Sequence, residues 1–173
     1  LTLLFVGLVV MWVCESPAAD RDASAKDSAK RQFELLKTLA GDWSGKASHG
    51  GHEPFEVSVK YQVVSGGSTV METLFCGTDH EMITMYHLDG NRLILTHYCA
   101  AGNQPRMQLV PTDNPKKLAF KFLDGTNMRP ETDMHMHEAK IEILSNDHVK
   151  AEWVPYKDGK PIDPATFDLK RKK

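Results

Sequence analysis

The chain has no excess of charge of either sign: 21 lysines and arginines stand against 23 aspartates and glutamates in 173 residues, a formal net charge of −2. Phosphate binding by counterion release needs a basic face, so this balance argues against a nucleic-acid-binding surface and offers little to an anionic membrane. No apolar run of 18 residues crosses the body of the sequence, and stable membrane insertion is not expected. The glycine-rich stretches match neither the phosphate-loop nor the dinucleotide fingerprint. A nucleophilic pair is also missing its support. His97 and Cys99 share a strand face, but no orienting group or oxyanion hole accompanies them, so the sequence gives no backing for an enzyme.

What is present suits one globular domain with a real core, given 41% hydrophobic residues. Residues Leu1 to Val13 are almost wholly apolar and precede Ser16-Pro17-Ala18-Ala19. That combination predicts a signal peptide over residues 1–19 and export to a periplasmic or extracellular space. A flexible lead-in is expected over residues 20–28. An exported chain would keep Cys76 and Cys99, as a disulfide or as two small buried hydrophobes.

From Ala29 to Leu39 the apolar positions Phe33, Leu35, Leu36 and Leu39 recur at helical spacing, with Gly41 as the stop. After Gly41 the period changes. Phe55 to Val63 alternates without an error, with Phe55, Val57, Val59, Tyr61 and Val63 on one face, as in a half-buried strand. Nine further strand-like runs cover Trp43–Ser48, Ser68–Phe75, Glu81–Leu88, Arg92–Tyr98, Pro105–Val110, Lys117–Leu123, Met134–Leu144, His148–Tyr156 and Thr166–Lys170. Turn signals such as Gly66-Gly67, Asp89-Gly90, Gly102-Asn103, Asn146-Asp147 and Asp158-Gly159 separate them. Ten short strands without helical crossovers predict an all-β, closed, antiparallel up-and-down barrel behind one short helix, over residues 29–173.

Gly41-Asp42-Trp43, after a short helix and at the start of the first strand, resembles the Gly-x-Trp signature of the lipocalins and the wider calycin group. The resemblance implies that Trp43 closes the narrow end of the barrel under a basic residue near the chain's end, here Lys170 or Arg171. Gly41, Trp43 and Arg171 are then structural residues. The chain is also similar to a group of uncharacterised secreted bacterial proteins with a lipocalin-like barrel. The similarity runs through His80-Glu81-Met82, Tyr86-His87-Leu88-Asp89-Gly90, the stretch from Thr96 to Met107, Asn127-Met128-Arg129-Pro130 and His135-Met136-His137. It implies a fold and brings no activity.

In a meander the connections alternate between the two ends of the barrel. The longer loops all fall opposite Trp43, and six of the eight histidines, His49, His52, His80, His97, His135 and His137, lie in or beside them. Alternation places His135 and His137 with Ala139, Ile141 and Ile143 on an inward face, and Leu93, Leu95, His97 and Cys99 on another. Leu118, Phe120, Phe122, Ala151 and Trp153 are expected inside as well. The strand before Asp89-Gly90 has two registers. A turn of two residues would place Thr84 and Tyr86 inside, whereas a bulged turn would place Ile83, Met85 and His87 there; the second makes the more apolar lumen and is preferred.

The expectation is an apolar floor and a polar mouth for a small hydrophobic or amphipathic ligand, with His97, His135, His137 and Trp153 near it. Arg106, beside Asn103 and Gln104, would offer a cation and amides to an anionic head. The alternatives are a metal or haem site on His97, His135 and His137, or a filled barrel that acts as an interaction module. His-x-His sets two imidazoles about 7 Å apart on one face, and a third ligand would come from His97 or His80. Glu142, at the spacing of a cupin glutamate, falls on the opposite face. The nitrobindins, calycin-like barrels that hold haem through a histidine near the C-terminal end, have no counterpart in Thr166–Lys170. No cofactor is therefore expected in the leading reading. A lumen under roughly 300 Å³ would favour the interaction module.

Overall fold

A computed structural model describes residues 28–112 and 114–173. The expected signal peptide, and all but the end of the expected lead-in, lie outside those residues. The chain is helical over residues 28–37 (α1), then runs through β1 (Gly41–His49), β2 (Phe55–Val64), β3 (Thr69–Leu74), β4 (Met82–Asp89), β5 (Arg92–Tyr98), β6 (Gln104–Val110), β7 (Lys117–Thr126), β8 (His135–Ser145), β9 (His148–Lys157), β10 (Lys160–Pro161) and β11 (Ala165–Arg171). Each strand is antiparallel to the next around the circle, and β11 closes it by pairing with both β9 and β1. β10 and β11 both lie on β9, with Lys160 opposite Lys157 and Ala165 opposite Trp153, so they form one interrupted stave. The result is a closed ten-stranded barrel behind one short helix.

The helix caps the end where β1 begins. Its apolar stripe buries Ala29, Phe33 and Leu36, with Leu39 of the following turn, against the end of the barrel core, which stabilises a helix too short to persist alone. Trp43 is fully buried beneath it and donates from Nε1 to the Leu39 carbonyl at 2.8 Å. Arg171 covers the indole at 4.4 Å and donates to the carbonyls of Thr38, Ala40 and Asn146 at 2.8, 2.7 and 2.9 Å. One guanidinium thus ties the helix end, the β8–β9 turn and the last strand to Trp43. Gly41 takes a backbone φ of +134°, and a Cβ there would stand 2.8 Å from the Arg171 guanidinium, so this position needs glycine.

Two registers depart from the expectations. β4 and β5 are joined by a two-residue turn, Gly90-Asn91, with Asp89 opposite Arg92 and Thr84 opposite His97. Thr84 and Tyr86 are the buried residues of β4, and Ile83, Met85 and His87 are not. The preference for the more apolar register fails because the buried side chains of β4 belong to a polar hydrogen-bonded row in the core, as shown below. On β8 the register slips between Met136 and Glu138, so Ala139 opposes Trp153 while His135 opposes Tyr156. Trp153 and Tyr156 are three residues apart on β9 and point to opposite faces. The bulge therefore takes His135 off the inward face of Ala139, Ile141 and Ile143, because one extra residue reverses every side chain beyond it.

Candidate functional site

The end opposite α1 carries a cavity of about 400 Å³ between the ends of the strands and the long loops. Its wall is apolar almost throughout: Phe55, Leu74, Phe75, Met136, Trp153 and Phe167 supply most of it, with His49 and His52 at the rim. Phe75 is held with a φ of +57°, an uncommon conformation for a bulky residue. Its ring stacks on Phe55 at 6.3 Å and meets Phe167 at 5.9 Å, so strained backbone aims an aromatic group at the mouth.

Behind this apolar wall runs one polar row across four neighbouring strands. Tyr61 of β2 opposes Glu72 of β3, Glu72 opposes Thr84 of β4, and Thr84 opposes His97 of β5. All four are buried. The Tyr61 and Tyr86 hydroxyls donate to the two oxygens of Glu72 at 2.5 and 2.6 Å, with Thr84 opposite on the neighbouring strand. Burial raises the Glu72 pKa above the usual carboxylate value, and the Tyr61 and Tyr86 hydroxyl donors pull it part of the way back. Thr84 Oγ1 and His97 Nδ1 are 2.9 Å apart. Burial lowers the His97 pKa to about 4, which leaves the ring neutral at physiological pH.

His97 and Trp153 are the predicted site residues that meet in this cavity, with ring centroids 4.8 Å apart. Each is buried and each has a ring nitrogen without a partner, His97 Nε2 and Trp153 Nε1. The other predicted residues lie outside its wall. Arg106 forms an exposed two-point ion pair with Asp124, with Nε 2.6 Å from Oδ1. Asn103 donates to the Met134 carbonyl at 2.8 Å and pins one loop to the entry of β8. Gln104 donates to Gly102 O and accepts from Thr126.

His135 and His137 are held by one another. His135 Nδ1 donates to the Asp133 carbonyl at 2.8 Å, so its Nε2 accepts from His137 Nδ1 at 2.9 Å. His137 lies between Phe122 and Tyr156, 4.8 and 3.9 Å from their centroids and within 15° and 21° of parallel. Burial, then the neighbouring His135, lowers the His137 pKa. Among the described residues no three His, Cys, Asp or Glu side chains converge on a metal-sized point, so His97 does not join the pair. His80 is exposed. Cys76 and Cys99 are free thiols, each partly buried.

A second depression, about 480 Å³, includes charged residues of the outer face, among them Lys140, Lys150, Glu152 and Asp168. Lys140 pairs with Glu152 at 2.7 Å and Lys150 with Asp168 at 3.3 Å. These charges neutralise one another, as on an ordinary solvated face. Sequence reasoning passed over Glu72, Tyr61 and Tyr86. The signal was there, because Glu72 is flanked at two-residue spacing by Val70 and Leu74 on the buried face of β3, and a carboxylate in that position needs buried donors.

No protein-family model matches the chain, and no curated protein matches it in sequence. Among solved structures it is similar to Rv2717c from M. tuberculosis, with a TM-score of 0.54 at 17% identity over 82% of this chain and 98% of that one. It is also similar to a protein of unknown function of the DUF3598 family from Nostoc punctiforme, with a TM-score of 0.53 at 16% identity. That match covers 79% of this chain and 49% of the Nostoc chain. At these identities the likeness concerns the fold alone, a barrel with neighbours of unknown function.

Proposed function

We propose that this protein is an exported, lipocalin-like, non-enzymatic barrel that binds a small hydrophobic or amphipathic molecule in its lumen through the end opposite Trp43. The observation that carries the reading is the cavity of about 400 Å³ with an apolar wall, which falls inside the range of roughly 300–1,000 Å³ usual for ligand sites and above the limit set for a filled barrel. The placement of Arg171 over Trp43 supports the lipocalin-like part. The apolar leader ahead of Ser16-Pro17-Ala18-Ala19 supports export.

The test is titration with N-phenyl-1-naphthylamine, a neutral dye that fluoresces in apolar surroundings. The native protein should bind it at micromolar concentrations. Ala165→Phe, which fills the cavity from its wall, should abolish the signal and keep the melting temperature within a few degrees. Dye binding untouched by that substitution would remove the lumen as the site. A Soret band on titration with haemin, lost in His97→Ala, would favour the haem alternative instead.

A further inference from the structure

If the lumen takes a small apolar molecule, as proposed above, the make-up of its wall bears on what kind of molecule that is. Aromatic residues form 8% of the chain, yet Phe55, Phe75, Trp153 and Phe167 are four of the thirteen residues around the cavity, and Met82 and Met136 add two thioethers. Among the described residues no valine or isoleucine lines it, although both types fill the packed interior, as at Val59, Val70 and Ile141. Any apolar wall of the right area would hold an alkyl chain. Rings and thioethers add an attraction for another ring, in offset, edge-to-face or sulfur contact.

Phe75 is the residue most plainly committed to this wall. Its φ of +57° is one that glycine takes without steric cost and that a bulky side chain disfavours. The backbone on either side is tied down: Thr78 donates to the Phe75 carbonyl from N at 3.1 Å and from Oγ1 at 2.8 Å, and Cys76 N donates to the Ser58 carbonyl at 3.1 Å. A glycine would make the same turn, so what phenylalanine contributes is its ring. In the wall Ala47 of β1 stands opposite both Phe55 of β2 and Phe167 of β11. Phe75 reaches both rings, at 6.3 Å and 21° from parallel for Phe55 and at 5.9 Å and 57° for Phe167. Phe167 is buried, but Phe55 is 45% exposed and Phe75 is partly exposed. The row of rings therefore ends on two members that a visitor can touch.

We propose that the lumen selects a molecule carrying an aromatic ring, which packs against Phe55 and Phe75 as the next member of their row. The separations already present between these rings fall within the 4.5–7 Å over which aromatic pairs attract. No lysine, arginine, aspartate or glutamate lines the cavity, so the ring it takes is uncharged. A saturated ring of the same carbon count is bulkier and more hydrophobic, but it lacks the charge pattern of a π-system and gains only its buried area. Phe55 and Phe75 are then the residues that determine specificity.

The experiment compares 4-phenyl-1-butanol with 4-cyclohexyl-1-butanol by calorimetric titration of the native protein. The two share chain and head group and differ in the ring alone, and area by itself favours the cyclohexyl compound. The phenyl compound should bind at least about fivefold more tightly. Its ring current should also shift the Met82 and Met136 methyl resonances further than the cyclohexyl compound does. Phe55→Leu and Phe75→Leu keep the wall apolar, and each should reduce the preference to about twofold or less while N-phenyl-1-naphthylamine still binds. Phe55 stands partly in solvent, so its variant keeps the test readable if Phe75→Leu fails to fold. Equal affinities, tighter binding of the cyclohexyl compound, or a preference untouched by the substitutions would overturn the aromatic assignment and leave the lumen reading in place. Binding of neither alcohol, together with no dye binding, would overturn both.

Discussion

The Tyr86 hydroxyl donates to Glu72 at 2.6 Å, although the two residues lie on adjacent strands and are 0% and 1% exposed. A carboxyl at such a depth is tolerable only with its oxygens satisfied. Removing it is costly chiefly because the partners are left behind. Glu72→Leu should destabilise the barrel by about 3–5 kcal/mol in urea unfolding, since it orphans the Tyr61 and Tyr86 hydroxyls. Glu72→Leu combined with Tyr61→Phe and Tyr86→Phe should recover at least half of that loss. Strictly additive losses across the three sites would show that the bonds do not act together.

The same row explains which parts of the molecule were legible in the sequence. Alternation and turn residues reveal a strand wherever one face is apolar and the other polar, as in Phe55 to Val63. They located all ten staves and the end to which each loop belongs. The register of β4 was not legible by that rule, because its buried face carries Thr84, bonded to His97, and Tyr86, which donates to Glu72 on the neighbouring strand. A rule that seeks the most apolar interior selects against a buried network. The bulge at Met136–Glu138 was equally hidden, having no glycine to mark it, and it separates His135 and His137 from the cavity that His97 lines. Trp153 and His97 lie on unbulged runs, and for them alternation found the lumen.

His97 gives the barrel a pH dependence of definite sign. Its pKa falls from 6.5 to about 4 on burial, so between these values the unfolded chain binds a proton that the native chain does not. Stability is therefore lost as pH falls through that window. The full contribution is about 3 kcal/mol, present above pH 6.5 and gone below pH 4. Urea midpoints of the native protein and His97→Phe, compared at steps from pH 7.5 to 4, isolate this from the carboxylates. The variant should lose less stability than the native chain over that range, and parallel curves would contradict the burial of a neutral imidazole.

Arg171 should prove worth more than its charge. Its three carbonyl contacts and its stacking on Trp43 depend on the flat guanidinium fork, which an ammonium cannot imitate. Arg171→Ala should cost about 2–4 kcal/mol by thermal or urea unfolding. Arg171→Lys should restore less than half. High salt should leave the loss largely unchanged, because carbonyl bonds and ring stacking respond weakly to screening. Full rescue by lysine would reduce the residue to its exposed ion pair with Asp147 at 3.4 Å.

The histidine pair on β8 is a structural clasp in this geometry, and its replacement reads out directly. His135 is fully buried with both ring nitrogens bonded, and His137 is held between two aromatic rings. Glutamine can offer one donor and one acceptor but cannot stack between Phe122 and Tyr156. The double substitution His135→Gln and His137→Gln should therefore lower stability by about 2–4 kcal/mol. Binding of N-phenyl-1-naphthylamine to the fraction that remains folded should keep its affinity, since neither ring lines the cavity. The opposite pattern, intact stability with lost binding, would show that both imidazoles reach the ligand after all. Unfolding curves and dye titrations on the same sample separate the two outcomes.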